Sequence, residues 1–188
     1  LENPGSMKRL IIREIEADAK AYGDARRTVI EEAQKAVLEQ KVIDEPVTVI
    51  ISEKGWVRAR TGIGHDPAQF TFKQGDSLLS AFECRTVDTL LAFGSNGRVY
   101  TVPVSTLPGA RGDGQPVTTF VELEPGTHLV HYFAGAPSAW LLLSNTGGYG
   151  FLATVENMMS RLKAGKAFIS VGEGETVCRP SAANVQPH

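Results

Sequence analysis

A strand, a glycine turn and a second strand recur three times along this chain, and the recurrence limits its possible folds more than any single residue does. Residues 47–52 form a strand-like run, Glu53-Lys54-Gly55 a turn, and Trp56-Val57-Arg58-Ala59-Arg60 a second run. Residues 88–93, the turn Gly94-Ser95-Asn96-Gly97 and Arg98-Val99-Tyr100-Thr101-Val102 repeat the arrangement. Residues 139–143, the turn 144–148 and the run 149–154 repeat it again. Asn96-Gly97 suits a tight hairpin because both central positions of such a turn need positive φ. The hairpin glycines Gly55, Gly97 and Gly148 lie 42 and 51 residues apart, and Gly75 and Gly126 are again 51 apart. After each hairpin a third strand running into a turn is expected, at 69–76, 119–126 and 167–174, with a further strand behind it. Four strands in a repeat of about 40–50 residues is the pattern of a β-propeller blade. A two-sheet sandwich with coincidental spacing is the alternative. The expected fold is mainly β: a partial propeller of about three four-stranded blades, at 47–85, 86–136 and 137–188, preceded by one or two α-helices.

The first 46 residues have a different character. Leu10, Ile11, Ile15 and Ala19 recur at helical spacing over 7–22, and Gly23 is a natural C-terminal stop. Thr28-Val29-Ile30-Glu31 resembles a capping box that would open a short helix over 31–40, and Pro46 closes the region. Residues 1–27 are therefore assigned to a helix and 28–46 to a partly helical linker.

Hydrophobic residues make up 42% of the 188 and charged residues 21%, which excludes a disordered chain. The longest apolar runs, such as 90–93 and 140–143, are far short of a membrane span. The N-terminus lacks the layout of a signal peptide, and Cys84 and Cys178 are isolated in strand-like runs, so reduced, buried thiols in a cytosolic protein are expected. Net charge is -2, which by itself argues against a nucleic-acid partner. The excess is local: residues 1–46 hold 8 basic and 10 acidic side chains, leaving 11 of each for the repeats.

No catalytic constellation stands out. The Gly-x-Gly clusters at 62–64, 112–114 and 172–174 do not extend into phosphate-binding motifs and read as turns. His128 and His131, three apart, face opposite sides of a strand, and His65 reads as a solvated loop residue. The pairs Glu122/Glu124 and Glu173/Glu175 read as solvated faces. The basic residues are more suggestive. Arg58 and Arg60 share a strand face, Lys73 lies in the same repeat, and Arg98 follows the second hairpin turn. Arg111 sits in a glycine-rich loop, and Arg161, Lys163 and Lys166 cluster in the third repeat. Side-by-side blades would set these cations along one rim, where they could engage duplex phosphates without reading sequence. The same residues also suit an ordinary solvated surface.

Several segments resemble a known family. Tyr22-Gly23-Asp24-Ala25-Arg26-Arg27-Thr28, after Leu10-Ile11-Ile12-Arg13-Glu14-Ile15, resembles the helix leaving the coiled-coil dimerisation region of bacterial type IIA topoisomerase A subunits. Glu53-Lys54-Gly55-Trp56-Val57-Arg58 resembles the first blade of their C-terminal domain. Gly97-Arg98-Val99-Tyr100 with Leu107-Pro108-Gly109-Ala110-Arg111-Gly112 resembles the second. Gly147-Gly148-Tyr149-Gly150-Phe151 and Ala164-Gly165-Lys166-Ala167-Phe168-Ile169 resemble the third. Gyrase A subunits carry a basic glycine-rich box after the first hairpin. Here Thr61-Gly62-Ile63-Gly64-His65-Asp66-Pro67 is not basic, so the likeness is to topoisomerase IV A subunits, with a gyrase bearing a degenerate box as the alternative.

The resemblance implies a hairpin-exchanged propeller, a β-pinwheel, that binds and bends double-stranded DNA for ATP-dependent decatenation and relaxation. DNA contact is expected from Arg58, Arg60, Lys73, Arg98, Arg111, Arg161, Lys163 and Lys166. The implied partners are DNA, a topoisomerase IV B subunit (the ATPase) and a second copy of the A chain, in the bacterial cytoplasm and on the chromosome. ATP and magnesium are implied for the whole enzyme and no cofactor for this stretch. Family propellers have about five or six blades, whereas three repeats are visible here. Tyr22, Tyr100, Tyr132 and Tyr149 follow Ala, Val, His and Gly, so none matches the family's catalytic tyrosine, which follows arginine. This stretch is expected not to catalyse on its own. A propeller used only for protein contact is the rival reading from another class.

Overall fold

The computed structural model describes residues 4–23 and 42–183. The chain divides into two compact units, Leu1–Gln40 and Lys41–His188. In the first unit, α1 spans Pro4–Tyr22 and buries no residue. Gly23 follows it, with its N–H donating to Ala19 O at 2.9 Å. The expected capping box at Thr28 and the helix over 31–40 lie outside the described residues.

The second unit contains the three repeats. The first provides β1 (Pro46–Ser52), β2 (Trp56–Thr61) and β3 (Leu78–Arg85). The next provides β4 (Thr89–Gly94), β5 (Arg98–Pro103), β6 (Gln115–Pro116) and β7 (Leu129–Gly135). The last provides β8 (Trp140–Ser144), β9 (Gly150–Thr154), the short helix α2 (Val155–Met158), β10 (Lys166–Ala167) and β11 (Ser181–Ala183). All six hairpin strands read from the sequence are present.

The sheets do not respect the contiguous ranges. Their strand orders are β3-β1-β2-β6, β10-β5-β4-β7 and β11-β8-β9. The fourth strand of the first sheet therefore comes from the second repeat, and that of the second sheet from the third. This is the exchange that a β-pinwheel requires. Among the described residues the third sheet has three strands. Of the runs expected at 69–76, 119–126 and 167–174, only Ala167 lies in a strand. The exchanged strands are two-residue pieces at 115–116 and 166–167, and 3-10 turns occupy Pro67–Gln69 and Val117–Thr119. Pieces that short carry no alternating pattern for a periodicity argument to find.

Two cores hold the stack. Val47, Val49, Ile51 and Val57 of the first sheet pack with Leu90, Ala92, Tyr100 and Val102 of the second. Leu91, Phe93 and Val99, on the opposite face, pack with Leu141, Leu143 and Ala153 of the third. The middle sheet is thus covered on both sides, and every residue of β4 is buried. That is why 90–93 reads as an unbroken apolar run instead of alternating. In β8 the pattern alternates, with Leu141 and Leu143 buried and Trp140 and Leu142 exposed.

Candidate nucleic-acid interface

The exchange is built on a pair of glycines. Gly114 and Gly165 each lie 17 residues after a hairpin glycine, Gly97 and Gly148. Both have positive φ, +88° and +65°. A Cβ on Gly114 would sit 2.3 Å from Val57 O, and one on Gly165 2.6 Å from Val99 O. Only glycine brings the backbone this close to the preceding sheet in this conformation. Each glycine leads into its exchanged strand, and each closes a loop that carries cations: Arg111 in one, Arg161 and Lys163 in the other.

Arginines of the preceding sheet hold both loops. Arg58 is only 6% exposed. Its Nη1 donates to Gly112 O at 3.0 Å, its Nη2 donates to Thr71 O, and its guanidinium lies over the Phe72 ring. Arg98 is half-buried and donates from Nε to Ala164 O at 3.0 Å and from Nη2 to Gly165 O at 3.2 Å. Its Nη1 also lies 3.3 Å from Glu124 Oε1. The sequence reading placed Arg58 on an open rim. It does share a face with Arg60, but Phe70, Thr71 and Phe72 fold back over that face. Arg58 and Arg98 therefore spend their donors on the fold.

Lys73 and Lys166 are exposed but engaged. Lys73 Nζ lies 3.5 Å from the centroid of Trp56 and 4.0 Å from Asp113 Oδ2. Lys166 Nζ donates to Asn157 O at 3.1 Å and lies 5.6 Å from the Phe168 centroid. Arg60, Arg111, Arg161 and Lys163 remain. None of the four makes a side-chain hydrogen bond or ion pair with a described residue. Arg60 shares a small cleft with Ala110, the neighbour of Arg111. Arg161 and Lys163 line a separate cleft beside β5. In register, residues 110–112 of one loop correspond to 161–163 of the next, so the free cations fall on corresponding loops, with Arg111 at the place of Leu162 between Arg161 and Lys163.

The other candidate residues have local duties. His65 Nε2 lies 2.9 Å from Thr61 O, and His131 Nε2 lies 3.0 Å from Val177 O. His128 falls just before β7, so the opposite-face argument does not apply to it. Glu124 accepts from Asn96 Nδ2, and Glu175 accepts from Asn145 Nδ2 and Gly172 N, so both hold turns. Cys84 is buried on β3, and burial, aided by Asp88, pushes its thiol up to about 12. Cys178 is half-buried and lies outside the strands. The loop replacing gyrase's basic box is held by carboxylates: Asp66 caps the 3-10 turn, and Glu83 accepts from Gly64 N at 2.7 Å.

No protein-family model matches the chain. Curated proteins do. Over 97% of its length the chain is 44% identical to the A subunit of DNA topoisomerase 4 from Neisseria gonorrhoeae, and over 96% it is 36% identical to that of Escherichia coli K12. Among solved structures, the E. coli ParC C-terminal domain superposes with a TM-score of 0.69 at 36% identity, covering 73% of this chain and 56% of that one. The chain belongs with the C-terminal β-pinwheel domains of topoisomerase IV A subunits. It spans 24% of the length of those curated relatives. A DNA gyrase A C-terminal domain, 17% identical with a TM-score of 0.51, shares the fold alone.

For a β-pinwheel of the topoisomerase IV type, the residues that build the loops matter as much as the cations on them. In the sequence Gly114 reads only as a turn glycine, and Gly165, Trp56 and Phe72 only as members of longer segments; none is identified as a builder of the loops. The repeated 17-residue spacing from hairpin glycine to loop glycine was the signal that could have found the first two. No described helix is long and apolar enough to cross a membrane.

Proposed function

We propose that this domain binds and bends duplex DNA without reading its sequence, as the non-catalytic C-terminal part of a topoisomerase IV A subunit. The observation that carries the reading is the likeness to topoisomerase IV A subunits over nearly the whole chain, joined to four unpartnered cations on or beside its exchanged loops. Arg60, Arg111, Arg161 and Lys163 face the phosphates. Lys73 and Lys166 add weaker contacts from engaged positions, and Arg58 and Arg98 hold the loops in place. Bending a site of 20–30 base pairs by 40–90° costs on the order of 1–6 kcal/mol, so several phosphate contacts are needed to offset it. The equal count of acids and bases in the repeats makes the grip loose and salt-sensitive.

In the whole enzyme, the domain guides a duplex to the cleavage core. The B subunit, an ATPase, and a second copy of the A chain, with ATP and magnesium, then carry out decatenation and relaxation in the bacterial cytoplasm, on the chromosome being segregated. Titrating a fluorescent duplex at several salt concentrations tests the binding. Four released counterions predict a slope of about −3 to −4 in log affinity against log salt, and a flat line refutes it. In the reconstituted enzyme, decatenation and relaxation without negative supercoiling are expected, and introduced supercoils would mark a gyrase instead.

A further inference from the structure

The first two sheets treat the edge beyond their exchanged strand differently. In the first, β6 pairs with Trp56 and Val57, and residues 108–109, which precede β6, cover the edge of β2 beyond it. Ala59 N–H donates to Pro108 O at 2.8 Å, and Ala59 forms a parallel bridge with Gly109. In the second, β10 pairs with Arg98 and Val99 and stops. Thr101 stands in the place of Ala59: Ala59 pairs with Val49 on β1, and Thr101 pairs with Leu91 at the same register on β4. The residues corresponding to Pro108 and Gly109, 51 positions later, are Met159 and Ser160. They do not pair with the backbone of Thr101. Ser160 N–H donates instead to Thr101 Oγ1 at 2.9 Å. The Thr101 amide, turned outward as that of Ala59 is, meets no described acceptor.

This open edge borders a cleft of about 620 Å³. Val102, Pro103, Phe120 and Met159 make its lining mainly apolar, and Arg161 and Lys163 are the charged residues in it. No carboxylate lines it. An open backbone edge, an apolar floor and two cations select one kind of occupant. We infer that the edge of β5 at Thr101 docks an extended segment of a partner protein, with an apolar side chain flanked by carboxylates, through a single main-chain bridge; Pro103, the next outward-facing residue, has no N–H and its carbonyl accepts from Thr106 Oγ1 at 2.7 Å. Main-chain pairing at Thr101 supplies the register, as Pro108-Gly109 supplies it in the first sheet. Pro103, Phe120 and Met159 take the apolar side chain, while Arg161 and Lys163 select carboxylates on its flanks. A sugar-phosphate backbone has nothing to place on the apolar floor. The inference goes beyond the DNA reading and shares with it only Arg161 and Lys163.

The test uses the full chain and an end-blocked, fluorescent Asp-Val-Glu-Phe-Asp peptide. A contact this small is expected to bind on the order of micromolar to millimolar. Replacing the acids by lysine, or N-methylating the central residue, should weaken binding at least about tenfold, a change of about 1.4 kcal/mol. The double variant R161E/K163E should do the same while keeping its unfolding midpoint, and R111E should leave peptide affinity unchanged. Peptide should also slow hydrogen exchange at the Thr101 amide. Equal affinity for the N-methylated peptide, equal affinity of the double variant, or no binding overturns the inference. So does protection of the Thr101 amide by duplex DNA but not by peptide, which would make the cleft part of the DNA surface. Duplex affinity measured on Arg60 and Arg111 variants reports separately on the DNA reading.

Discussion

Arg98 donates from Nη2 to the carbonyl of Gly165, 67 positions further along the chain, at 3.2 Å. The bond joins the second strand of one hairpin to the glycine that opens the strand exchanged into its sheet. Arg58, two places further along its own strand, ties the first sheet to the other loop through Gly112 O, across 54 positions. Exchanged strands of two residues have little ladder of their own, so such connections carry much of their attachment. Replacing Arg98 by methionine keeps most of the stem and removes the donors to two carbonyls. The expected loss is about 2 kcal/mol, from hydrogen bonds made by a charged donor. Urea unfolding measures it, and hydrogen exchange at Ala167 should quicken in the variant. Unchanged exchange there would show that β10 is held without the arginine.

The two classes of positive-φ glycine should separate cleanly. Gly126, at φ +79°, has open space where a Cβ would go. Gly126→Ala should cost about 1–2 kcal/mol, the left-handed backbone penalty alone. At Gly165 the added Cβ would also press within 2.6 Å of Val99 O, so Gly165→Ala should cost more and loosen β10. Equal unfolding midpoints for the two variants would remove the close approach as the reason for glycine at 165.

Free and committed cations should behave differently toward DNA. Arg111→Ala and Lys163→Ala should each reduce the salt slope of duplex binding by about 0.9, one released counterion apiece. Arg98→Met should leave the slope unchanged in the folded protein even if affinity falls, because its guanidinium already serves Ala164 and Gly165. A slope that drops with Arg98 would mean that it turns outward to phosphate when DNA binds.

Alkali should weaken the fold. Burial pushes Cys84 from 9.0 up to about 12 and Tyr132 from 10.0 up to about 12. Above pH 9 the unfolded chain gives up the Cys84 proton, and above pH 10 that of Tyr132, while the folded chain keeps both, so stability is complete below pH 9 and falls as pH rises toward 12. Urea midpoints measured from pH 8 upward test this, and Cys84→Ala should flatten the lower part of the decline. At pH 8 a thiol reagent should spare Cys84 in the native protein and label it on unfolding.

Much of the fold was legible because hairpins are local. The alternation in β2, the apolar run in β4 and Asn96-Gly97 each act over a few residues, and their 42- and 51-residue spacing exposed the repeat. The third strand of each repeat was misplaced because strands of two residues leave no period. Gly114 passed for an ordinary turn glycine and Gly165 for one member of a family-like segment, since their requirement comes from Val57 O and Val99 O in another sheet. The candidate interface was legible as a set of cations and not as a surface.

The sequence by itself determined that this chain makes three glycine-turned hairpins with two-sided apolar strands in the middle one. Local hydrogen bonding and side-chain alternation settle that within each segment. The tertiary structure decided which sheet each hairpin lends a strand to, and so which arginines are inside. Arg58 and Arg60 look alike in sequence and share a strand face, yet Phe72 covers the first and leaves the second without a hydrogen-bond or ion-pair partner among the described residues. Covering a side chain needs a segment that returns from elsewhere in the chain, and neither composition nor periodicity encodes where that segment will land.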